Sequence, residues 1–539
     1  MGAVRVRGGA AVIEELARER LGFGELRPGQ LSAVQGLAGG RDVLAVLPTG
    51  GGKSAIYELA GMLRAGPTVV VSPLIALQDD QLAHLRAAAL LASCDADTFV
   101  FLAPEQLANT ETRDTLRRAR PGLFAVDEAH LISQWGRDFR PDYLLLGAQA
   151  DALGAPVRLA LTATAAPPVR QEIIARLGLR DPVVVIGDFD RPQLHLSARH
   201  VTTIPDKERE LVRAAQEFAG PGIVYAATHA SAQAAHDALS SAGERVTLYH
   251  AGLSKRERVE AMAAFMDGST RVIAATVAFG MGIDKPDVRW VVHADPPPSM
   301  DAYYQEMGRA GRDGEPAQVR LVYRYDDFEL ARYLTARGIS GTAVGQAAAA
   351  LAAGLAAGHS ARQQRSALTR LADLGAAAWQ PDGDIAWTGT MTVAAAVAAS
   401  DAQTEREDEV ERTRLTMMRR YAEHTGCRRS FLLTYFGQDY RGPCGNCDND
   451  LGSAVAEPAD VPFAVGARVV SERWGQGTVQ RYDGDQITVL FDEHGYRELF
   501  VPVVRERGLL RPVTLCRYCQ LEQVVAASLP RDGVLAPVK

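Results

Sequence analysis

Three glycines in a row followed by lysine and serine, in Leu47-Pro48-Thr49-Gly50-Gly51-Gly52-Lys53-Ser54, constrain this chain more than any other stretch. The run follows the apolar residues 43–46 and leads into a helical pattern. Glycine adopts backbone angles that side chains forbid, so such a loop folds tightly and points its N–H groups at a phosphate. Lys53 is placed to reach β- and γ-phosphates and Ser54 to hold Mg²⁺, while Thr49, Gly50, Gly51 and Gly52 line the cradle. The N-terminus of the following helix adds a favourable dipole. The usual pattern opens with glycine five residues before Gly52, where this chain has Leu47.

Short apolar runs at 43–47, 68–72, 98–102, 122–126 and 157–161 alternate with helical stretches, and the alternation recurs at 222–226, 246–249, 271–275, 288–293 and 318–323. That is the pattern of parallel sheets covered by helices on both faces, and it predicts two α/β lobes, residues 1–190 and 191–330. The 539 residues are too many for one hydrophobic core. The Ala/Gly-rich residues 341–358 read as a small-residue helix or a joint. An amphipathic helix and two strands around an Asp-Gly turn follow, so 340–395 has the order of a winged-helix module, or is a plain helical insert. Residues 404–455 are charged and helical and then cysteine-bearing. Residues 462–512 alternate strands with Gly-rich turns and predict a small closed β-barrel, followed by a tail, 513–539, with Cys516 and Cys519.

A hydrophobic fraction of 47% and a charged fraction of 23% are ordinary for soluble domains, and no apolar stretch reads as a membrane span. With no leader pattern at the N-terminus, a cytoplasmic protein is expected. The net charge of −7 carries no whole-chain signature of nucleic-acid binding, so any such site must be a local groove. Only five of the 58 basic residues are lysine, which fits a GC-rich genome better than selection for phosphate contacts. Among six cysteines, the Cys-x-x-Cys pairs Cys444/Cys447 and Cys516/Cys519 suggest metal before disulfide.

The apolar run 122–126 delivers Asp127 and Glu128 to the edge where α/β proteins bind ligands. Asp127 is expected to hold Mg²⁺ and Glu128 to orient and deprotonate an attacking water. Thr162 and Thr164 end another strand and are candidates for coupling nucleotide state to lobe motion. In the second lobe, Tyr-Tyr-Gln-Glu-Met-Gly-Arg-Ala-Gly-Arg places Arg309 and Arg312 on one helical turn, ready to stabilise a transferring phosphoryl group from across a cleft. Gly280, Gly282 and Asp284 form a tight turn suited to ribose or coupling contacts.

Taken in order, LGFGELRPGQ, LPTGGGKS, VVVSPLIALQDDQ, AVDEAHLISQWGRDFRPDY, LALTATA, YHAGLSKRER, VAFGMGIDKPDVRWVVH and YYQEMGRAGRDG resemble the helicase motifs of the RecQ family, over roughly residues 15–330 and again over 415–450. The resemblance implies two tandem RecA-like lobes, ATP with Mg²⁺ as cofactor, DNA as partner, and 3′-to-5′ strand separation in repair or recombination. It implies that Gln30 reads the adenine edge, Arg27 supports it and Phe23 stacks on the ring, with Gln305 also at the nucleotide. It implies that Trp135, Phe139 and Arg140 meet bases, each stack worth about 1–3 kcal/mol, and that Thr228 and His250 lie on the DNA path.

The segment Cys427–Asp450 is similar to the family's zinc module, with Asp450 where the family has a fourth cysteine. Zinc accepts carboxylate oxygen, so Cys427, Cys444, Cys447 and Asp450 are one ligand set; Cys444, Cys447, Cys516 and Cys519 are the other. The barrel resembles the Tudor-like barrels that end some bacterial repair helicases, which implies a protein partner or a nucleic-acid contact. The chain also departs from the family. The 72–103 segment is short, Ala103 and Gln106 replace the usual Thr and Arg, and the stretch around Thr228 lacks the usual Ser-Arg. These changes lie where the family grips single-stranded DNA. They leave open a DNA-stimulated translocase with weak unwinding, and the Asp-Glu-Ala-His motif leaves open an RNA helicase.

Overall fold

A computed structural model describes residues 9–515, apart from 49, 74–98, 108, 133–140, 155, 166, 281–284, 336–339, 356–361, 380–384, 439, 441, 451–460, 465–466, 484 and 493, together with 522–524. Two compact units emerge, Met1–Ala454 and Val455–Lys539.

The first unit holds both lobes. In the first, strands β1 (Val43–Val46), β2 (Thr68–Val71), β3 (Phe99–Leu102), β4 (Leu123–Val126), β5 (Val157–Thr162) and β6 (Val183–Ile186) form one parallel sheet in the order β3-β2-β4-β5-β1-β6. Strands β1, β2, β4 and β5 are buried at every position, as expected when helices cover both faces. The register pairs Val46 with Thr162 and Val126 with Ala160. Three central strands therefore end together, and the phosphate loop, the acidic pair and Thr162 leave from one edge.

The second lobe repeats the plan with β7 (Leu194–His200), β8 (Gly222–Tyr225), β9 (Val246–Tyr249), β10 (Val272–Ala275), β11 (Trp290–His293) and β12 (Ala317–Tyr323), in the order β7-β12-β11-β8-β10-β9. Its core gathers Val224, Val272, Ala274, Trp290 and Val292.

The insert comprises helices Gly341–Ala352 and Arg362–Asp373, the hairpin β13 (Ala377–Trp379) and β14 (Ile385–Trp387), and the first turns of a 31-residue helix, Val393–Glu423. The Ala/Gly-rich run is thus helical as far as Ala352, and the charged helix begins at Val393 rather than near 404. The helix–helix–hairpin order matches a winged helix. In that motif the helix before the hairpin faces DNA, but here its Ala367, Leu368, Thr369, Arg370 and Leu371 are all buried. Arg370 pairs with Glu407 of the long helix at 2.6 Å, and Asp373 with Arg176 of the first lobe at 3.1 Å. The described part of this helix serves as a brace between elements. The Asp-Gly turn lies outside the described residues.

In the second unit, β15 (Arg468–Ser471), β16 (Gly475–Asp483), β17 (Gln486–Phe491), β18 (Gly495–Phe500), β19 (Arg511–Leu515) and β20 (Glu522–Val524) pair antiparallel in the order β18-β17-β16-β15-β19-β20. This is the antiparallel, turn-rich unit expected of residues 462–512. Helix Val501–Arg507 fills the connection between β18 and β19, and its Val501 and Val504 complete the core of Val469, Val479, Ile487, Val489 and Phe491. No described helix is long and apolar enough to cross a membrane.

Candidate nucleotide cleft and metal centre

The phosphate loop is built as its glycines require. Gly50 and Gly52 have φ of 78° and 71°, in the left-handed region that side chains resist. The Gly51 N–H donates to the Pro48 carbonyl at 2.8 Å. Gly52, which has no side chain to cap with, stands at the N-cap of helix Lys53–Leu63, and the Lys53 ammonium folds back to within 3.4 Å of the Leu47 carbonyl. Thr49 lies outside the described residues.

Gln30 stands directly under this loop. Its amide donates to the carbonyls of Gly52 at 2.8 Å and Gly51 at 3.3 Å, and its oxygen accepts from the Arg27 N–H at 2.7 Å. A Cβ on Gly52 would lie 2.4 Å from the Gln30 amide nitrogen, so the close approach needs glycine. The side chain assigned to the adenine edge is engaged with the loop itself, a contact between residues too distant in sequence for any motif to reveal. Phe23 packs half-buried against the first-lobe core, and Arg27 is exposed.

Asp127 and Glu128 follow β4. Burial and the neighbouring Glu128 charge push the Asp127 carboxyl up. Burial acts on Glu128 too, but a hydrogen bond from His130 and the charges of His130, Lys53 and Arg309 outweigh it and hold that carboxyl below its usual range. Arg309 thus acts on Glu128 from the second lobe. Glu128 has φ of 49°, a strained value of the kind that clusters at functional sites. Ser54 and Asp127, a hydroxyl and a carboxylate leaving the same sheet edge, are donor types that suit Mg²⁺.

A line of polar contacts leaves Glu128. Its carboxylate is 3.3 Å from His130 Nδ1, which is 3.0 Å from the Thr162 hydroxyl. That hydroxyl donates to the Thr164 carbonyl at 2.9 Å, and the Thr164 hydroxyl accepts from the Gln305 amide at 3.2 Å. Gln305 belongs to helix Met300–Met307 of the second lobe. The sequence reading named Thr162, Thr164 and Gln305 separately and missed His130, although it is the last residue of Asp-Glu-Ala-His.

The expected shared helical turn for Arg309 and Arg312 is not there. Helix Met300–Met307 ends at Gly308, and both arginines sit in the turns beyond it. Gly311, with φ of 59°, donates to the Val288 carbonyl at 2.9 Å and pulls the chain away from the helix axis. Gly282 and Asp284 lie outside the described residues, as do Trp135, Phe139 and Arg140.

Thr228 caps helix His229–Ser241, its hydroxyl accepting from the Ser231 N–H at 3.0 Å in a capping box. His250 stacks on His229 with ring centroids 4.3 Å apart. Both residues stand at the ends of strands β8 and β9. Gln106 is exposed, its oxygen accepting locally from the Ala103 N–H at 2.7 Å.

Away from the cleft, ligand atoms of Cys427, Cys444, Cys447 and Asp450 lie within 4.8 Å of one another. Three thiols and a carboxylate are a set that tetrahedral zinc takes. A Cβ on Gly442 would come within 3.0 Å of the Cys427 sulfur, so a larger residue there would press on the cluster. Cys516 and Cys519 lie outside the described residues. The cysteine loop also lies along β7, the edge strand of the second sheet: Asp448 N–H donates to Leu196 O at 3.1 Å, and the Asp448 carboxylate accepts from Ala198 N–H at 2.9 Å. Arg428 holds that carboxylate at 2.5 Å. An exposed edge strand is thereby covered.

Three family descriptions match the chain: DEAD/DEAH box helicase over residues 27–173, helicase conserved C-terminal domain over 206–314, and RecQ zinc-binding over 384–451. The probable ATP-dependent DNA helicase RecS of Bacillus subtilis (strain 168) is 36% identical over 337 residues, covering 59% of this chain and 68% of that protein. The ATP-dependent DNA helicase RecQ of Pasteurella multocida is 30% identical over 450 residues, covering 79% of this chain and 60% of that protein. The ATP-dependent DNA helicase Q5 of Rattus norvegicus is 37% identical, but the chain spans only 37% of its length. Among solved structures, Mycobacterium smegmatis helicase Lhr bound to ssDNA and AMP-PNP shares the fold, with a TM-score of 0.51 at 21% identity over 72% of this chain and 61% of that one.

Proposed function

Because this chain belongs to the RecQ family of ATP-dependent DNA helicases, we propose that it hydrolyses ATP between its two lobes and uses that cycle to separate DNA strands, 3′ to 5′, in repair or recombination. Lys53 and the loop N–H groups hold the β- and γ-phosphates. Ser54 and Asp127 hold Mg²⁺, which when bound neutralises phosphate charge. Glu128, kept ionised by His130, Lys53 and Arg309, accepts a hydrogen bond from the attacking water and orients it. Arg309 and Arg312 meet the charge that develops on the transferring group, a contribution of about 10³–10⁵ in rate in related phosphoryl transfer.

The observation that carries this reading is the contact line from Glu128 through His130, Thr162 and Thr164 to Gln305. It gives the hydrolytic carboxylate a physical connection to the lobe that must move. The cytoplasm is the compartment this reading assigns, on the likeness to bacterial RecQ and RecS proteins. The C-terminal antiparallel unit is proposed to dock a protein partner, on its likeness to Tudor-like modules.

A second reading, a DNA-stimulated translocase with weak unwinding, draws support from two side chains. Gln106 and the Thr228 hydroxyl, at positions where the family grips a single strand, are both engaged in local capping bonds. One experiment separates the readings: hydrolysis stimulated by single-stranded DNA, single-stranded RNA and forked duplex, with strand separation followed in parallel. Stimulation by DNA with separation supports the helicase. Stimulation by DNA without separation supports the translocase, and stimulation by RNA alone overturns both.

A further inference from the structure

We propose that Tyr225 is a positioning residue for Arg309: its phenolic hydroxyl holds the arginine against the backbone of Gly280, at the mouth of the cleft. The inference rests on the reading of Arg309 as the residue that meets the transferring phosphoryl group.

Tyr225 is the last residue of β8 and is only 2% exposed. Its hydroxyl donates to the Phe279 carbonyl at 3.0 Å, beside the Arg309 guanidinium. Phe279 precedes Gly280, and a Cβ built on Gly280 would lie 3.5 Å from Arg309 Nη2. The guanidinium therefore rests on a backbone that leaves it room, close to the Tyr225 oxygen. A second layer stiffens the first. The Tyr225 ring stacks on His293, with centroids 5.8 Å apart and planes at 27°. His293, fully buried, pairs through Nε2 with Glu306 at 2.9 Å. The Glu306 carbonyl in turn accepts from the Arg309 N–H at 3.3 Å.

Arginine has a long side chain with much rotamer freedom to lose. A group that must meet charge present only in the transition state helps most when it is already in place. Phenylalanine would fill the same space at position 225, so the hydroxyl marks a task beyond packing.

The test is Tyr225→Phe, alone and combined with Arg309→Ala. We expect kcat to fall about tenfold, the scale of one hydrogen bond to a charged group, with KM for ATP within about twofold of wild type. Affinity for ADP with aluminium fluoride should fall by the same factor, while a non-hydrolysable ATP analogue binds as before. Arg309→Ala should be slower still, and adding Tyr225→Phe to it should change nothing more. Glu306→Gln keeps the hydroxyl and loosens its support. It should lower kcat alone, by about threefold, and carries the test if Tyr225→Phe fails to fold. If Arg309→Ala hydrolyses ATP normally, the underlying reading of the arginine falls. If Arg309→Ala is slow but Tyr225→Phe matches wild type, or adds its full effect to the double variant, the positioning role is overturned while the arginine's role stands.

Discussion

The two lobes meet in two ways. Across the nucleotide cleft the described contact is thin and polar: one amide, Gln305, on one hydroxyl, Thr164. Behind the cleft the linker between the lobes is gripped. Phe189 stacks on Phe436 of the zinc module with centroids 4.8 Å apart and planes at 13°, and meets the edge of Tyr304 at 5.8 Å. Gln438 accepts from the Phe189 N–H at 3.0 Å and donates to Asp188 at 2.7 Å. Arg170 of the first lobe reaches the Phe436 carbonyl at 3.4 Å. Phe189 and Phe436 are each 1% exposed. A single exchangeable hydrogen bond nets about 0.5–1.5 kcal/mol, whereas emptying a buried aromatic site costs about 3–5 kcal/mol. The difference predicts where relative motion of the lobes would be cheapest: at the polar side rather than the packed one.

Zinc removal should break this contrast most severely. Structural zinc contributes on the order of 10–16 kcal/mol in small finger peptides. Chelation should release about one zinc per chain, unfold the module and free the linker, while basal ATP hydrolysis survives. Asp450→Ala should weaken zinc binding, and replacing Cys516 and Cys519 together with Ser should leave the metal in place. Metal analysis showing the opposite pattern would establish the other ligand set.

Phe436→Ala comes next. It should lower stability by about 3–5 kcal/mol, read by denaturant unfolding, and reduce strand separation more than hydrolysis. A loss under about 1 kcal/mol would mean that the linker is not held by this packing. On the cleft side, Lys53→Ala should reduce hydrolysis by about 10²–10³ or more with circular dichroism unchanged. Wild-type turnover in that variant would remove the nucleotide assignment.

The sequence was most legible where function is contiguous. The phosphate loop and the acidic pair each occupy a few adjacent residues at the end of a strand, so local pattern was sufficient. The cluster of Cys427, Cys444, Cys447 and Asp450 was legible as one of two candidate sets because cysteine is scarce in this chain. What stayed hidden is long-range. Gln30 under Gly52, His130 against Thr162 and Phe436 on Phe189 are contacts that only tertiary structure creates. Spacing placed Arg309 and Arg312 on a helix, but Gly308 and Gly311 end it. The amphipathic helix Arg362–Asp373 suggested one free face, yet a neighbouring helix and the first lobe both claim it. Strand alternation foretold the C-terminal sheet without showing the helix Val501–Arg507 that joins two of its strands and completes its core.

The smallest energetic change tests the central claim most directly: Gln305→Ala removes a single hydrogen bond, about 0.5–1.5 kcal/mol. The measurement is ATP hydrolysed per base pair separated on a forked DNA duplex, wild type against variant. We expect wild type to separate strands only with ATP. In the variant, DNA-stimulated hydrolysis should stay within about threefold of wild type, while the ATP consumed per base pair rises several-fold. If hydrolysis and separation fall together in equal proportion, or neither changes, the Thr164–Gln305 contact does not couple the chemistry of the first lobe to movement of the second.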